Sequence, residues 1–202
     1  MAAPEVLTAP AKLTWSLRVT GRRRDGLHLI DAEMVSLELA DTLVVSEGDG
    51  LVVRGASGLP ISVDDDNLVV RALRMVGRTA HVELTKRIPA GAGLGGGSAD
   101  AAAILRWAGY DDVVGAASLG ADVSFCLVGG RARVSGIGEV VEPLVHDART
   151  VTLLTPPFGC STPAVYRMWD DMGGPTVDGP NDLEPAALRV EPRLAEWRDR
   201  LG

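Results

Sequence analysis

Two cysteines and three histidines in 202 residues leave little material for cross-links or metal sites. Cys126 and Cys160 are too few for a disulfide framework. Each has apolar neighbours, so both are expected to pack as reduced thiols, which suits a reducing cytoplasm. His28, His81 and His146 are far apart, and no His, Cys, Asp or Glu cluster offers a dedicated metal site. No apolar run approaches ~18 residues, so no segment is expected to cross a membrane. The opening "MAAPEVLTAPAKLTW" lacks the basic-then-apolar order of a signal peptide. Basic charge is also lacking. The net charge of -7 argues against sequence-independent binding to nucleic acid, which needs a positive surface.

What is present is the composition of a folded chain, 46% hydrophobic and 23% charged, enough for one medium domain or two small ones. "AKLTWSLRVTG" alternates as a strand and leads to an Asp25-Gly26 turn. "LHLIDAEMVSLELADTLVVSEG" reads as one or two strands, and "LVVRGA" as another. "DDDNLVVRALRMVG" has a helical stripe of Leu68, Ala72, Leu73 and Val76, an Asp or Asn cap and a Gly77 stop. "TAHVELTKRIP" reads as a strand, Ser98 to Trp107 as a helix and "YDDVVGAASLG" as a short helix. "DVSFCLVGGRARVSGIG" is expected to be a hairpin around Gly129-Gly130. A boundary is expected near residue 147, dividing the chain into 1–147 and 148–202. Beyond it "RTVTLLTPP" reads as a strand, "STPAVYRMWDDMGG" as a helix capped by Ser161 or Thr162, and "EPRLAEWRDRLG" as a helix with Leu194, Trp197 and Leu201 on one side. The strands lack the long apolar runs of a parallel sheet, which favours an α+β layout.

The most informative stretch is "KRIPAGAGLGGGSADAAAILRWAG", glycine-rich loop followed at once by an alanine-rich helix. Gly91, Gly93 and Gly96 match the dinucleotide pattern G-x-G-x-x-G, a weak signal. The strand before it alternates polar and apolar residues, whereas that fold buries both faces. A P-loop would need lysine where Gly97 stands. A third arrangement fits better. Successive glycines let backbone N–H groups converge on phosphate oxygens, and the start of the helix adds partial positive charge. A ligand-free hinge would not call for a small, close-approach helix start at Ala99 and Ala101 to Ala103.

"PAGAGLGGGSADAAA" resembles the P-x-x-x-G-L-G-G-S-S-A phosphate loop of the GHMP kinase superfamily. Further motifs, in order, carry the resemblance: "APAKLTWSLRVTGRRRDGLH", "DNLVVRAL", "LGADVSFCLVGGRARVSGIGE", "STPAVY" and "NDLEP". They span nearly the whole chain, and within the superfamily they point to the branch acting on a cytidine diphosphate-linked methylerythritol in non-mevalonate isoprenoid biosynthesis. The resemblance implies a ribosomal-protein-like βαβ sandwich of sheet and helices in residues 1–147, binding ATP, and the start of a C-terminal α+β domain in 148–202. It also implies transfer of the ATP γ-phosphoryl group to a hydroxyl of a small-molecule substrate.

Residue by residue, the resemblance makes Asp122 the general base and Lys12 the cation that lowers the base's pKa and steadies the moving phosphoryl group. The phosphate cradle is Pro89, Gly91, Gly93, Leu94, Gly95, Gly96, Gly97 and Ser98. Asn67 and Leu68 lie near the adenine, and Lys86 near the nucleotide. Mg²⁺ would ride on the nucleotide phosphates with few protein ligands. Thr14, His28, Asp122, Thr162, Pro163 and Tyr166 fall to the acceptor, with Tyr166 stacking on cytosine. Apart from the resemblance, the run Arg22, Arg23 and Arg24 offers charge to an anionic substrate, although such a run is more often a solvated turn.

The chain departs from this pattern in three places. Thr14 stands where the family usually has Asn, and Leu27 where it usually has the Tyr of D-G-Y-H. A third glycine motif, G-[ST]-G, expected further on in the family, is missing by Gly202. The second domain is therefore expected to be incomplete, exposing a helix face and sheet edges. That raises two alternatives to an active kinase for this substrate: an inactive nucleotide-binding or self-associating domain, as a homodimer, and a kinase for another small alcohol.

Overall fold

A computed structural model describes residues 3–55 and 62–200. Ala56 and Leu201, assigned from sequence to a strand end and to the last helix, lie outside the described residues. Two long strands form the spine. β1 (Glu5–Arg22) and β2 (His28–Ser46) pair antiparallel along their whole length, joined by the Asp25-Gly26 turn. β2 is thus a single strand. Its other edge is shared: β4 (His81–Thr85) pairs with residues 42–46, and β5 (Arg131–Gly136) with residues 30–35. β3 (Gly50–Arg54) runs parallel to β4, and β6 (Val140–Pro143) antiparallel to β5. A mixed sheet made chiefly of antiparallel pairs is the expected α+β layout.

The middle of the spine is irregular. The pairing jumps from Pro10↔Ala40 to Lys12↔Ser36, so residues 37–39 bulge out of β2. Pro10, which has no N–H for a ladder, stands at that break. Lys12 therefore emerges where β1 is least regular, and its backbone N–H bonds the carbonyl of Leu94 at 3.0 Å in place of a strand partner.

Helices α1 (Leu68–Met75), α2 (Gly96–Trp107), α3 (Val113–Ala116) and α4 (Ala121–Val128) follow in order. Asn67 caps α1, its side chain accepting from the Val69 N–H. α2 is the central helix, and Ala99 to Leu105 are all buried. A helix with no polar stripe has to sit in the core, and its alanines let the neighbouring backbones come close. Burying Ile104 and Leu105 contributes about 1.5–3 kcal/mol each.

Three local expectations need correction. Residues 121–128 form a helix and not the first arm of a hairpin. A short apolar run such as "DVSFCLV" fits either period, and Gly129, at φ +72°, ends the helix instead of turning a hairpin. The hairpin lies further on, between β5 and β6. The stretch "RTVTLLTPP" forms no strand, because no described strand pairs with it. Helix α2 begins at Gly96, two residues before Ser98.

After residue 147 come α5 (Thr162–Asp171), α6 (Glu184–Val190) and α7 (Leu194–Asp199); α6 is not foreshadowed by the sequence pattern. This segment is fastened to the outer edge of β1. Leu17 donates to the Pro180 carbonyl and accepts from the Asp182 N–H, at 2.8 and 3.0 Å. The Asp182 carboxylate is fully buried and accepts from Arg18 Nη1 (2.8 Å), the Val19 N–H (3.0 Å) and the Val177 N–H (3.2 Å). Burial works against the charge, but Arg18 and the two amides outweigh it and hold this carboxyl below the ordinary range. Asp182→Asn should cost about 1–3 kcal/mol in chemical denaturation, because an amide N–H₂ would face existing donors. A depressed folded pKa stabilises above the unfolded value and is lost as pH falls through the folded one. The difference between wild type and variant should therefore shrink below roughly pH 4.

Candidate active site

The glycine loop links the end of β4 to α2. Gly91, Gly93 and Gly95 have φ of +72°, +73° and +66°, a region that side chains rarely enter. Gly95 is the N-cap of α2 and supplies no side chain to cap it. A Cβ there would lie 2.7 Å from Lys12 Cγ, so the loop is pressed onto the lysine stem. The first-turn N–H groups of α2 thus open into a cavity of about 200 Å³, whose lining includes Asn67, Leu68, Lys86, Pro89, Gly93 and Gly97. Leu68 closes one side, with its Cδ1 3.6 Å from the Cβ position of Gly97.

A second helix start meets the first. Helix α4 also lacks a side-chain cap, with Gly120 at its N-cap, and the Cβ position of Gly120 is 3.9 Å from Ser98 Oγ. Asp122 stands in the first turn of α4, where the helix dipole favours its negative charge. Lys12 Nζ lies 3.3 Å from Asp122 Oδ2 and donates to Thr14 Oγ1 at 3.0 Å. The lysine side chain is 9% exposed and the aspartate 30%, so the carboxylate is the member of the pair that a ligand can reach.

Beneath the cradle is a buried charged trio that sequence reading missed in part. Lys86 bonds both Asp41 and Asp100, the latter at 2.7 Å. Asp41 Oδ1 accepts from the N–H groups of Arg87 (2.5 Å) and Ile88 (2.9 Å), pinning the chain where it leaves β4. Burial pushes the Asp100 carboxyl up to about 7, against the pull of Lys86 and with the push of Asp41. The available signal was an acid placed among apolar neighbours, in "LELADTLVV" for Asp41 and "SADAAAIL" for Asp100.

Of the residues expected at the acceptor end, Tyr166 meets His28, while Thr14 and Asp122 stand at Lys12. The His28 ring stacks on Tyr166 with centroids 4.6 Å apart, meets Trp169 edge-on at 5.7 Å and bonds Asp170 through Nε2 at 2.8 Å. Asp170 was also missed; Arg22 reaches it at 3.3 Å. Burial, then the charge of Asp122, pushes the Tyr166 phenol up to about 12. Thr162 and Pro163 open α5 at the surface, one turn before Tyr166. Leu27 is exposed beside His28 in sequence.

A larger cavity, about 450 Å³, lies elsewhere, between β2 and residues 146–153. It holds none of the expected site residues. Its arginines are engaged, Arg131 with Glu33 (2.7 Å) and Arg149 with Asp147 and over the Trp15 ring. The glycine cavity, with its convergent N–H groups, is the better anion site.

Comparison with known proteins gives a consistent picture. The family model described as GHMP kinases N terminal domain matches residues 67–130. The 4-diphosphocytidyl-2-C-methyl-D-erythritol kinase of Paracoccus denitrificans is 38% identical over 208 residues, covering 93% of this chain and 76% of that protein. The kinase of the same name from Ruegeria pomeroyi is 37% identical, covering 93% and 78%. A crystal structure of 4-(cytidine 5'-diphospho)-2C-methyl-D-erythritol kinase superposes with a TM-score of 0.68 at 34% identity, over 97% of this chain and 82% of that one.

The contact between Gly95 and Lys12 is open to a direct test. In Gly95→Ala the left-handed backbone alone costs roughly 1–2 kcal/mol, and the methyl group must displace the lysine stem. Equilibrium binding of a non-hydrolysable ATP analogue should weaken by roughly tenfold or more, with an unchanged circular dichroism spectrum.

Proposed function

The chain belongs to the 4-diphosphocytidyl-2-C-methyl-D-erythritol kinase family of GHMP kinases, and from that premise we propose how its residues move a phosphoryl group from ATP to the 2-hydroxyl of that substrate, a step of isoprenoid-precursor synthesis. The observation that carries the reading is the Lys12–Asp122 pair standing where two uncapped helix starts meet beside the glycine cradle.

The chemistry asks for little covalent work. Phosphoryl transfer depends on alignment and on positive charge around the phosphates. The N–H groups from Gly93 to Ser98 and the dipole of α2 take the β- and γ-phosphates, and Asn67 and Leu68 border the space for adenine. Asp122 accepts the hydrogen bond of the acceptor hydroxyl and takes its proton as the bond to phosphorus forms. Lys12 pairs with that carboxylate at 3.3 Å and offers its ammonium to the transferring group. Thr14 holds the lysine in place through its hydroxyl. The cradle fits a triphosphate because its donors are backbone amides with no acceptor of their own; Mg²⁺ would be held chiefly through the nucleotide and would supply charge neutralisation there.

The cytidine end falls to His28 and Tyr166. Asp170 fixes the His28 ring, and Tyr166 offers an aromatic face to cytosine. With Leu27 where the family usually has tyrosine, Tyr166 carries the stacking alone. Residues 1–147 then hold the nucleotide and 148–202 supply acceptor contacts. The two free thiols suit a reducing cytoplasm, and among the described residues no helix is long and apolar enough to cross a membrane. Burial and neighbouring charge push Cys126 up to about 12, which keeps it an inert thiol.

Two variants test these roles in a coupled assay of ADP release with the diphosphocytidyl substrate. Asp122→Asn should lower kcat by roughly 10²–10⁴-fold while binding of an ATP analogue persists. Turnover equal to wild type would refute the base assignment. Tyr166→Ala should raise KM for the cytidine substrate by roughly 5- to 150-fold, the equivalent of one lost base stack, with KM for ATP unchanged.

A further inference from the structure

Two carboxylates face one ammonium directly under the phosphate cradle, and this imbalance is unused by the mechanism above. Lys86 Nζ lies 3.2 Å from the Cβ position of Gly96, the first residue of α2. Asp41 meets Lys86 from β2 and spends its other oxygen on the amides of Arg87 and Ile88. Asp100 meets Lys86 from the first turns of α2 with Oδ2 alone. Its Oδ1 is buried with no hydrogen-bond partner, and the side chain, 4% exposed, borders the nucleotide cavity.

An orphaned oxygen on a buried carboxylate is costly if that oxygen is charged, and much less so if the group is neutral. The other charges around α2 offer no relief. Lys12 of β1 and Asp122 of α4 are paired with each other. From α1, Arg71 bonds the Ser118 carbonyl and Arg74 bonds Asp65. Lys86 and Asp41 are the charges that act on Asp100; the Cys126 thiol of α4 also faces it, beside Arg106 of α2, but stays neutral with its pKa pushed up to about 12. With both aspartates ionised the trio carries net charge -1 under a site built for a triphosphate, and one proton brings it to zero.

We propose that Asp100 is a positioning residue of the cradle that holds a proton when nucleotide is bound, so that binding of the triphosphate is coupled to proton uptake at this carboxyl. The proposal rests on the kinase reading above. Burial, against the pull of Lys86 and with the push of Asp41, already brings the Asp100 pKa to about 7. The phosphates raise it further, because an anion overhead disfavours a second anion below. Since the bound pKa lies above the free one, affinity is full below the free value. It is lost as pH rises from about 7 through the bound value, by at most about tenfold per pH unit for one proton.

The test is isothermal titration of the whole chain with a non-hydrolysable ATP analogue, from pH 6 to 8.5, in pairs of buffers with different ionisation heats. The nucleotide's terminal phosphate titrates near this range too, at roughly 6. The quantity read is therefore the difference between wild type and Asp100→Asn, which keeps the shape and removes the titration. Wild type should take up more protons than the variant and lose several-fold more affinity between pH 6.5 and 8.5, with the two curves meeting at low pH. Equal proton uptake and parallel affinity curves overturn the role of Asp100 and leave the kinase reading standing. Failure of both proteins to bind nucleotide overturns both. If Asp100→Asn does not fold, ¹³C carboxyl resonances of the wild-type aspartates decide the matter. One must titrate near 7 and stay protonated on adding nucleotide, and its absence overturns the proposal.

Discussion

Asp41 is shut off from bulk solvent. It is fully buried in the middle of β2, where the sheet's second edge passes from β4 to β5, and it is held by Lys86 and two backbone amides. Such a carboxylate is tolerable only because every partner is in place, and removing one would strand a charge in the interior. Its consequence is geometric. The amides it holds, those of Arg87 and Ile88, are the last fixed points of the chain before the glycines begin. A loop with three left-handed glycines has little conformational preference of its own, so its course is set at its ends. Asp41 sets one end, and the Lys12 stem under Gly95 sets the other.

From those two anchors the electrostatics of the site follow. The chain enters α2 without a capping side chain, and α4 likewise begins at a glycine. In most helices a Ser, Thr, Asp or Asn would consume those free N–H groups. Leaving them open at two helix starts costs stability locally and creates a field suited to an anion. Asp122 lies within that field, in the first turn of α4 and 3.3 Å from Lys12. One lysine from the sheet thus packs against the loop along its stem and against the acid at its tip.

The sequence revealed those parts of the fold that depend on local chemistry. Alternation along β1 and β4 and the Asn67 cap of α1 are properties of neighbouring residues, and they were legible. The run "DVSFCLV" was not, since its period fits a strand or a helix and the choice falls to tertiary packing against α2. "RTVTLLTPP" has strand composition, yet a strand exists only with a partner, and none of the described strands supplies one. At the site, the loop and Lys12 with Asp122 were legible through family motifs. Asp41, Asp100, Asp170 and Asp182 were not, because a buried acid draws its meaning from cations and amides distant in sequence, as in the 164-residue separation between Arg18 and Asp182.

The two ends of the site are built by different physics, and this bears on how the molecule divides its work. The proposed nucleotide end is made of backbone, and the amides assigned to recognition there are fixed by β4, α2 and buried ion pairs. The proposed acceptor end is made of side chains, His28, Tyr166 and Asp170, that meet across the junction between β2 and α5. What holds that junction is the Asp182 network on the edge of β1, with Leu17 bonded on both sides. An amide cradle tolerates little change, since a single methyl group at Gly95 meets Lys12. A ring stack tolerates exchange of one aromatic for another, or the loss of one partner, at a cost of roughly 1–3 kcal/mol. On the proposed reading, Leu27, where the family usually has tyrosine, falls at the acceptor end, where substitution is expected to alter affinity for the acceptor and to leave the phosphate cradle undisturbed.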